Sequence, residues 1–279
     1  EYYAHKRENV REISREYSGH SVSYKISPIE LYKNLIQMNF DWGEPGCLFV
    51  DRFRNYHIME FDNNYKIETC NPCTEQPLPK HGACCLGSIN ISELVTNPYT
   101  PNANFDYQKF SSLISMGIRA LDQIIDENME RHALKESAEV SYNYRNVGLG
   151  VFGYASMLMK MGIKYGSPEA LDITEDIFMR MIRTAVVESN HLAIEKGSFP
   201  KYSEAVWQSR IIKKHFNELE IADLKKHGLR NCSLLSIAPT GSIATMLGET
   251  GGIEPEFALK FTRKTESLNK SEEKFYDVY

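Results

Sequence analysis

Between Thr69 and Ser92 the chain reads T-C-N-P-C-T-E-Q-P-L-P-K-H-G-A-C-C-L-G-S-I-N-I-S, and no regular helix can run through it. Pro72, Pro77 and Pro79 each fix φ and remove a backbone donor, and Gly82 permits a turn ahead of Cys84. The stretch is expected to be a stiff loop that the rest of the chain must hold in place. It carries four of the six cysteines. Asn71, Cys73 and Glu75 fall at every second position, so an extended backbone would point an amide, a thiol and a carboxylate to one side. No Lys or Arg lies between Cys70 and Pro79, a setting for a thiol kept neutral by apolar burial. Glu75, two residues from Cys73, is placed for work as a general base.

The surroundings are those of an ordinary globular protein. A length of 279 residues suits one large domain or two small ones. A net charge of −5 argues against a nucleic-acid groove, so no nucleic-acid partner is expected. The most apolar segment, Val147 to Ile163, is interrupted by Lys160 and glycines, and no membrane span is expected. Six cysteines, two of them adjacent, make a poor disulfide framework, which points to a reducing cytoplasm. The chain opens on Glu1 and closes on the polar stretch Lys270 to Tyr279, as expected of a piece of something larger.

Residues Glu1 to Val22 are polar and read as a ragged entry or a helix. Ser27-Pro28-Ile29-Glu30 predicts a capped helix with an apolar face at Leu31, Leu35, Ile36 and Met38, ending near Trp42 before Gly43. Cys47 to Asp51 reads as a short buried strand, with Cys47 in the core. Apolar residues at Phe110, Leu113, Ile114, Ile118, Leu121, Ile124 and Ile125 predict a helix over Tyr107 to Asn128. Ser167-Pro168 opens another, running to Lys196 and closed by Gly197. Met157, Met159, Met161, Met179 and Met181 are expected to fill the core. Asn231 to Ala238 reads as a buried strand that holds Cys232. Pro239, Thr240, Gly241, Ser242 and Ile243 then turn into a helix start, whose backbone N–H groups and hydroxyls suit a phosphate.

N-P-C-x-E-x-P-L, followed by a cysteine and then L-G-S-I-N, is similar to the active-site loop of the ribonucleotide reductase catalytic subunit. The spelling resembles the adenosylcobalamin-dependent class II enzymes. G-L-R-N…L-x-x-I-A-P-T-G-S-I at Gly228 to Ile243, with G-G-I-E-P after it, resembles that family's substrate-phosphate loop. Arg145 to Ala155 looks like its G-L-G-V segment, whose small residues would let a helix approach a neighbouring backbone. The resemblance runs from about Tyr32 to Lys264. It implies part of a ten-stranded α/β barrel with helices outside and Cys73 on a central finger loop, in one catalytic region truncated at both ends. Cys73 would carry a thiyl radical, Glu75 would take the 3′-hydroxyl proton, and Asn71 would hold the sugar hydroxyls. Cys84 would be half of a dithiol completed by an upstream cysteine. Also implied are a ribonucleotide substrate, adenosylcobalamin, a thioredoxin-like or other dithiol reductant, a homodimeric parent and no turnover by the piece alone.

Other readings compete. Cys70-Asn-Pro-Cys73 has the spacing of a thioredoxin-like dithiol, which should open a helix. The same pair with Cys84 and Cys85 has the ligands for zinc, although adjacent cysteines chelate one ion awkwardly. Gly148, Gly150 and Gly153 spell G-x-G-x-x-G without a preceding apolar strand, so a dinucleotide fold is not expected. His81 is expected on a solvated loop.

Overall fold

Ser27 and Gly43 bracket the first helix as the sequence predicts. In a computed structural model, which describes residues 11–17, 19–256, 258, 260–266 and 273–278, the chain divides into two units, Glu1–Val50 and Asp51–Tyr279. The first unit holds an antiparallel hairpin, β1 (Arg11–Tyr17) with β2 (His20–Ile26), and helix α1 (Pro28–Trp42). The hairpin replaces the ragged entry or helix expected here, and residues 1–10 of that stretch lie outside the described ones. The missed signal is the alternation in H-S-V-S-Y-K-I, which is strand periodicity. In α1 the Ser27 side chain accepts from Glu30 N, and Gly43 takes the left-handed cap at φ +72°. The helix buries none of its side chains, and Leu31, Ile36, Met38, Phe40 and Trp42 are all exposed.

The predicted buried strand at Cys47 is absent. Cys47 is exposed, and helix α2 (Val50–Asn55) begins where the strand should continue. A short apolar run fits either state, and residues 47–49 join no ladder among the described residues.

In the second unit a parallel three-stranded sheet runs in the order β5 (Cys85–Asn90), β8 (Asn146–Phe152), β9 (Ser233–Leu235). Two short antiparallel pairs flank β5 in sequence. They are β3 (Thr69–Cys70) with β4 (Pro77–Leu78), and β6 (Val95–Thr96) with β7 (Asn104–Phe105). Parallel neighbours need long crossovers. From β5 to β8 the chain passes through α3 (Tyr107–Asn128) and α4 (Lys135–Tyr144). From β8 to β9 it passes through α5 (Tyr154–Met161), α6 (Pro168–Lys196), α7 (Arg210–His215) and α8 (Glu218–Leu224). Helix α9 (Gly241–Leu247) follows β9, and the pair β10 (Phe261–Glu266) and β11 (Glu273–Val278) closes the chain.

Helices α3 and α6 carry the predicted bounds, with Asp106 and Ser167 as side-chain N-caps. Phe110, Ile114 and Ile118 of α3 pack with Val147, Leu149 and Val151 of β8 and with Ile177 and Met181 of α6. Each is fully or almost fully buried and contributes roughly 1.5–3 kcal/mol of transfer free energy. Leu113 is only half-buried, and Ile124 is exposed. Of the methionines, Met157 and Met181 are core, Met161 packs against it, and Met159 and Met179 face solvent.

Strand β8 is buried in all seven residues, as the middle of a covered parallel sheet must be. The G-L-G-V segment is therefore strand. Gly148 and Gly150 lie within it and Gly153 caps α5 at φ +75°. The backbone that approaches Gly150 is the chain leaving β9, not a helix: a Cβ there would stand 2.2 Å from Ser236 O.

Candidate active site

The cysteine loop is a hairpin. β3 and β4 pair Thr69 with Leu78 and Cys70 with Pro77, and residues 71–76 form the turn between them. Asn71 closes it: its Oδ1 accepts from Gln76 N at 2.9 Å, its carbonyl accepts from Thr74 N at 3.0 Å, and its own N–H donates to Gln76 O. Thr74 takes φ +67° to complete the reversal. This Asx-type closure abolishes the extended backbone expected for Asn71, Cys73 and Glu75, so alternation does not set their directions. Cys73 stands exposed at the tip between exposed Pro72 and Thr74, which corrects its expected burial.

Glu75 is half-buried, and its Oε2 is sealed from solvent with no hydrogen-bond partner. Cys84 is half-buried, and desolvation followed by the charge of Glu75 pushes its thiol pKa up. Burial, then Cys84, does the same to Cys85. The protonating, apolar environment expected around Cys73 therefore surrounds Cys84 and Cys85 instead. Cys84 and Cys85 also line a cavity of about 150 Å³ with Ile124, His132 and Asn146.

The second predicted loop leaves β9, which is shorter than expected at Ser233–Leu235. Thr240 adopts φ +54° and caps α9. Its hydroxyl is engaged inside the loop, donating to Pro239 O and accepting from Gly252 N, both at 2.8 Å. Gly251 and Gly252 brace this turn closely, since a Cβ on Gly251 would stand 3.0 Å from Pro239 O. Gly241, Ser242 and Ile243 are exposed at the helix start. Helix α9 has only seven residues, so any anion here would depend on direct N–H bonds more than on a helix dipole.

The two loops meet through residues that sequence reasoning missed. Ser236 Oγ donates to Glu75 O at 2.9 Å, and buried Gln76 reaches Val147 O and Ser233. The only sequence signal for Gln76 is its place beside Glu75 between two prolines. Cys70 lies in strand β3 and Cys73 in a turn, so neither opens a helix as a thioredoxin-like pair would. Among the described residues no three His, Cys, Asp or Glu side chains gather as metal ligands. His81 is exposed at φ +60°, and Cys232 is fully buried with its thiol against Asn146 Oδ1, both as expected. No described helix is long and apolar enough to cross a membrane.

Comparison with known proteins extends the resemblance beyond the two loops. The model of the ribonucleotide reductase barrel domain matches residues 1–277. A vitamin B12-dependent ribonucleoside-diphosphate reductase of Thermoplasma acidophilum is 33% identical over 86% of this chain and 28% of its own length. One of Mycobacterium tuberculosis is 30% identical over 86% of the chain and 31% of its own. The chain thus spans less than a third of the length of these curated relatives. The class Id ribonucleotide reductase alpha subunit of Actinobacillus ureae shares the fold at a TM-score of 0.64 and 24% identity, covering 82% of this chain and 40% of that one. With the α/β architecture, the finger hairpin and a family match over nearly every residue, this chain belongs to the ribonucleotide reductase barrel-domain family.

Proposed function

We propose that this chain supplies the catalytic loops of an enzyme that reduces ribonucleoside diphosphates to 2′-deoxyribonucleotides. One observation carries the reading: the finger hairpin presents Cys73 at an open tip while Glu75, two residues away, keeps a buried carboxylate oxygen without a partner and bears electrostatically on Cys84. An unpaired buried acceptor is costly unless a donor arrives. A sugar hydroxyl is such a donor.

Cys73, as a thiyl radical, takes the ribose 3′-hydrogen. Glu75 accepts the 3′-hydroxyl proton within hydrogen-bond reach. The Nδ2 of Asn71 is left for a sugar hydroxyl, because Oδ1 is spent on the turn. Cys84 and its upstream partner supply two electrons and the proton that lets the 2′-hydroxyl leave as water. They end as a disulfide, and Cys73 returns the hydrogen to C3′. Its raised pKa keeps the Cys84 thiol protonated, so that it holds the proton to be given. Gly241, Ser242 and Ile243 offer backbone N–H groups, and Ser242 a hydroxyl, to the substrate phosphates. Pro239 and Thr240 shape that loop.

Adenosylcobalamin supplies a carbon-centred radical able to take the hydrogen of a thiol. The exposed sulfur of Cys73 fits a donor that must reach it from outside, and Pro72 and Thr74 would meet that donor. A thioredoxin-like protein or another dithiol regenerates the Cys84 pair, in a homodimeric parent working in the cytoplasm.

The test is ribonucleotide reduction by the full-length protein with adenosylcobalamin, a dithiol and no second protein, beside Cys73→Ser. Product from the wild type and none from the variant is expected. Product that needs a metalloprotein partner would replace the cobalamin while keeping the loop roles, and activity surviving Cys73→Ser would overturn the reading.

A further inference from the structure

Gln76 is 1% exposed although it ends a loop whose tip is open to solvent. Strands β8 and β9 pair Asn146 with Ser233 and Leu149 with Leu235, leaving Val147 and Gly148 opposite Leu234 alone. Such a bulge leaves an extra residue unpaired in the ladder. At this mismatch the Val147 carbonyl accepts from Gln76 Nε2 at 3.3 Å, and the same nitrogen lies 3.5 Å from Ser233 Oγ. Gly148 makes the space, since a Cβ there would stand 2.7 Å from Gln76 Nε2 and 2.9 Å from Ser236 Cβ. Ser236 adds a second hold through its bond to Glu75 O while its own N–H donates to Leu149 O. Gln76 Oε1 is buried without a partner, so only the Nε2 side secures the amide.

We infer that Gln76 is the positioning residue that locks the finger hairpin into the β8 bulge, with Gly148 as the socket, and so fixes where Glu75 and Cys73 stand. The Gln76 amide bonds to Val147 and Ser233 and to none of residues 239–243, and it holds no reacting atom. Its loss therefore lowers turnover more than it weakens substrate binding, to which the hairpin contributes only through Asn71. Removing the Nε2 donor takes from the buried Val147 carbonyl its side-chain partner, and the hairpin loses one of its two hydrogen-bonded holds on the β8–β9 region, keeping the Ser236 bond.

The activity arm rests on the proposed reductase reading, and the exchange arm does not. In the full-length protein we would compare Gln76→Leu, Gln76→Glu and Gly148→Ala with wild type by steady-state kinetics from pH 5.5 to 8 and by amide exchange of residues 71–76. Gln76→Leu and Gly148→Ala are expected to lower kcat at least tenfold with a smaller rise in KM, and to speed hairpin exchange at least tenfold. Glutamate keeps the shape but donates to Val147 O only when protonated. Activity of Gln76→Glu relative to wild type is therefore expected to rise at least fivefold as pH falls across this range, while the Leu ratio stays flat. Wild-type exchange and kcat in Gln76→Leu would overturn the lock, as would a flat Glu ratio. A wild type without reductase activity but with faster hairpin exchange in Gln76→Leu would sink the reductase reading and leave the lock standing.

Discussion

His57 lies against Tyr65 with ring centroids 4.9 Å apart, and its Nδ1 accepts from Met59 N at 3.0 Å. Burial lowers its pKa from 6.5 to about 4, because a charged imidazole there would lose its hydration. The sign follows from linkage: between those values the unfolded chain binds a proton that the folded one refuses. Stability is then fully present above about pH 6.5 and falls as pH drops toward 4, by roughly 3 kcal/mol in all. Urea unfolding across that range is expected to show the slope, and His57→Phe to flatten it. Cys73 makes the opposite point at this scale. The absence of Lys and Arg around it suggests an apolar, buried thiol, but the Asn71 side chain closes a turn and leaves Cys73 exposed. One Asn71 side-chain hydrogen bond and two backbone bonds close the turn that puts Cys73 at its tip.

Among elements, β8 depends most on close approach. A Cβ on Gly150 would meet the backbone carbonyl of Ser236 at 2.2 Å, and Gly117 of α3 would meet Leu149 at 2.9 Å. Backbone cannot rotate aside, so Gly150→Ala is expected to cost about 3 kcal/mol or more, measured by urea unfolding. Gly162, which caps α5 at φ +71° with nothing within 4 Å of its Cβ position, is the control. Gly162→Ala carries only the left-handed strain, about 1 kcal/mol. If both cost the same, steric contact with Ser236 is not what Gly150 avoids. Helices α1, α3 and α6 were legible to the residue because each has local punctuation: a side-chain N-cap, and for α1 and α6 a closing glycine. The strand expected at Cys47 is absent because no local signal fixed that state. An apolar run becomes strand only where a partner strand accepts it.

Across the second unit, one buried ionic cluster joins segments far apart in the chain. Arg145, fully buried at the end of α4, holds Asp122 Oδ1 of α3 at 2.7 Å and Asp126 at 2.8 Å. Asn231, just before β9, bonds both Asp122 Oδ1 and Arg145 O. Desolvation alone would raise the Asp122 carboxyl, but the Arg145 hydrogen bond and charge, with Arg230 and Asn231, hold its pKa below the usual range. Its contribution is present above the unfolded carboxylate pKa and disappears as pH falls through the lowered folded value. Asp122→Ala would leave the Arg145 charge buried without its nearest partner and is expected to cost about 3–5 kcal/mol. Calorimetry of that variant would check it, and a loss near zero would mean that Asp126 suffices.

The sequence by itself determined what local chemistry can fix: where α1, α3 and α6 start and stop, that no α-helix runs through Thr69 to Ser92, and which family motifs the two loops spell; that Cys85 to Asn90 is a sheet strand it did not show. It also carried the residues expected to react, since Asn71, Cys73, Glu75 and Cys84 are named by motif alone. Only the tertiary structure decided how those residues stand. The β8 bulge and the socket at Gly148 arise from strands separated by some eighty residues in the chain, so nothing local to Gln76 predicts its burial. The same holds for the meeting of Glu75 with Ser236 and of Asp122 with Asn231. Periodicity and capping act over a few residues, whereas docking a hairpin into a sheet depends on contacts that exist only once the sheet has formed.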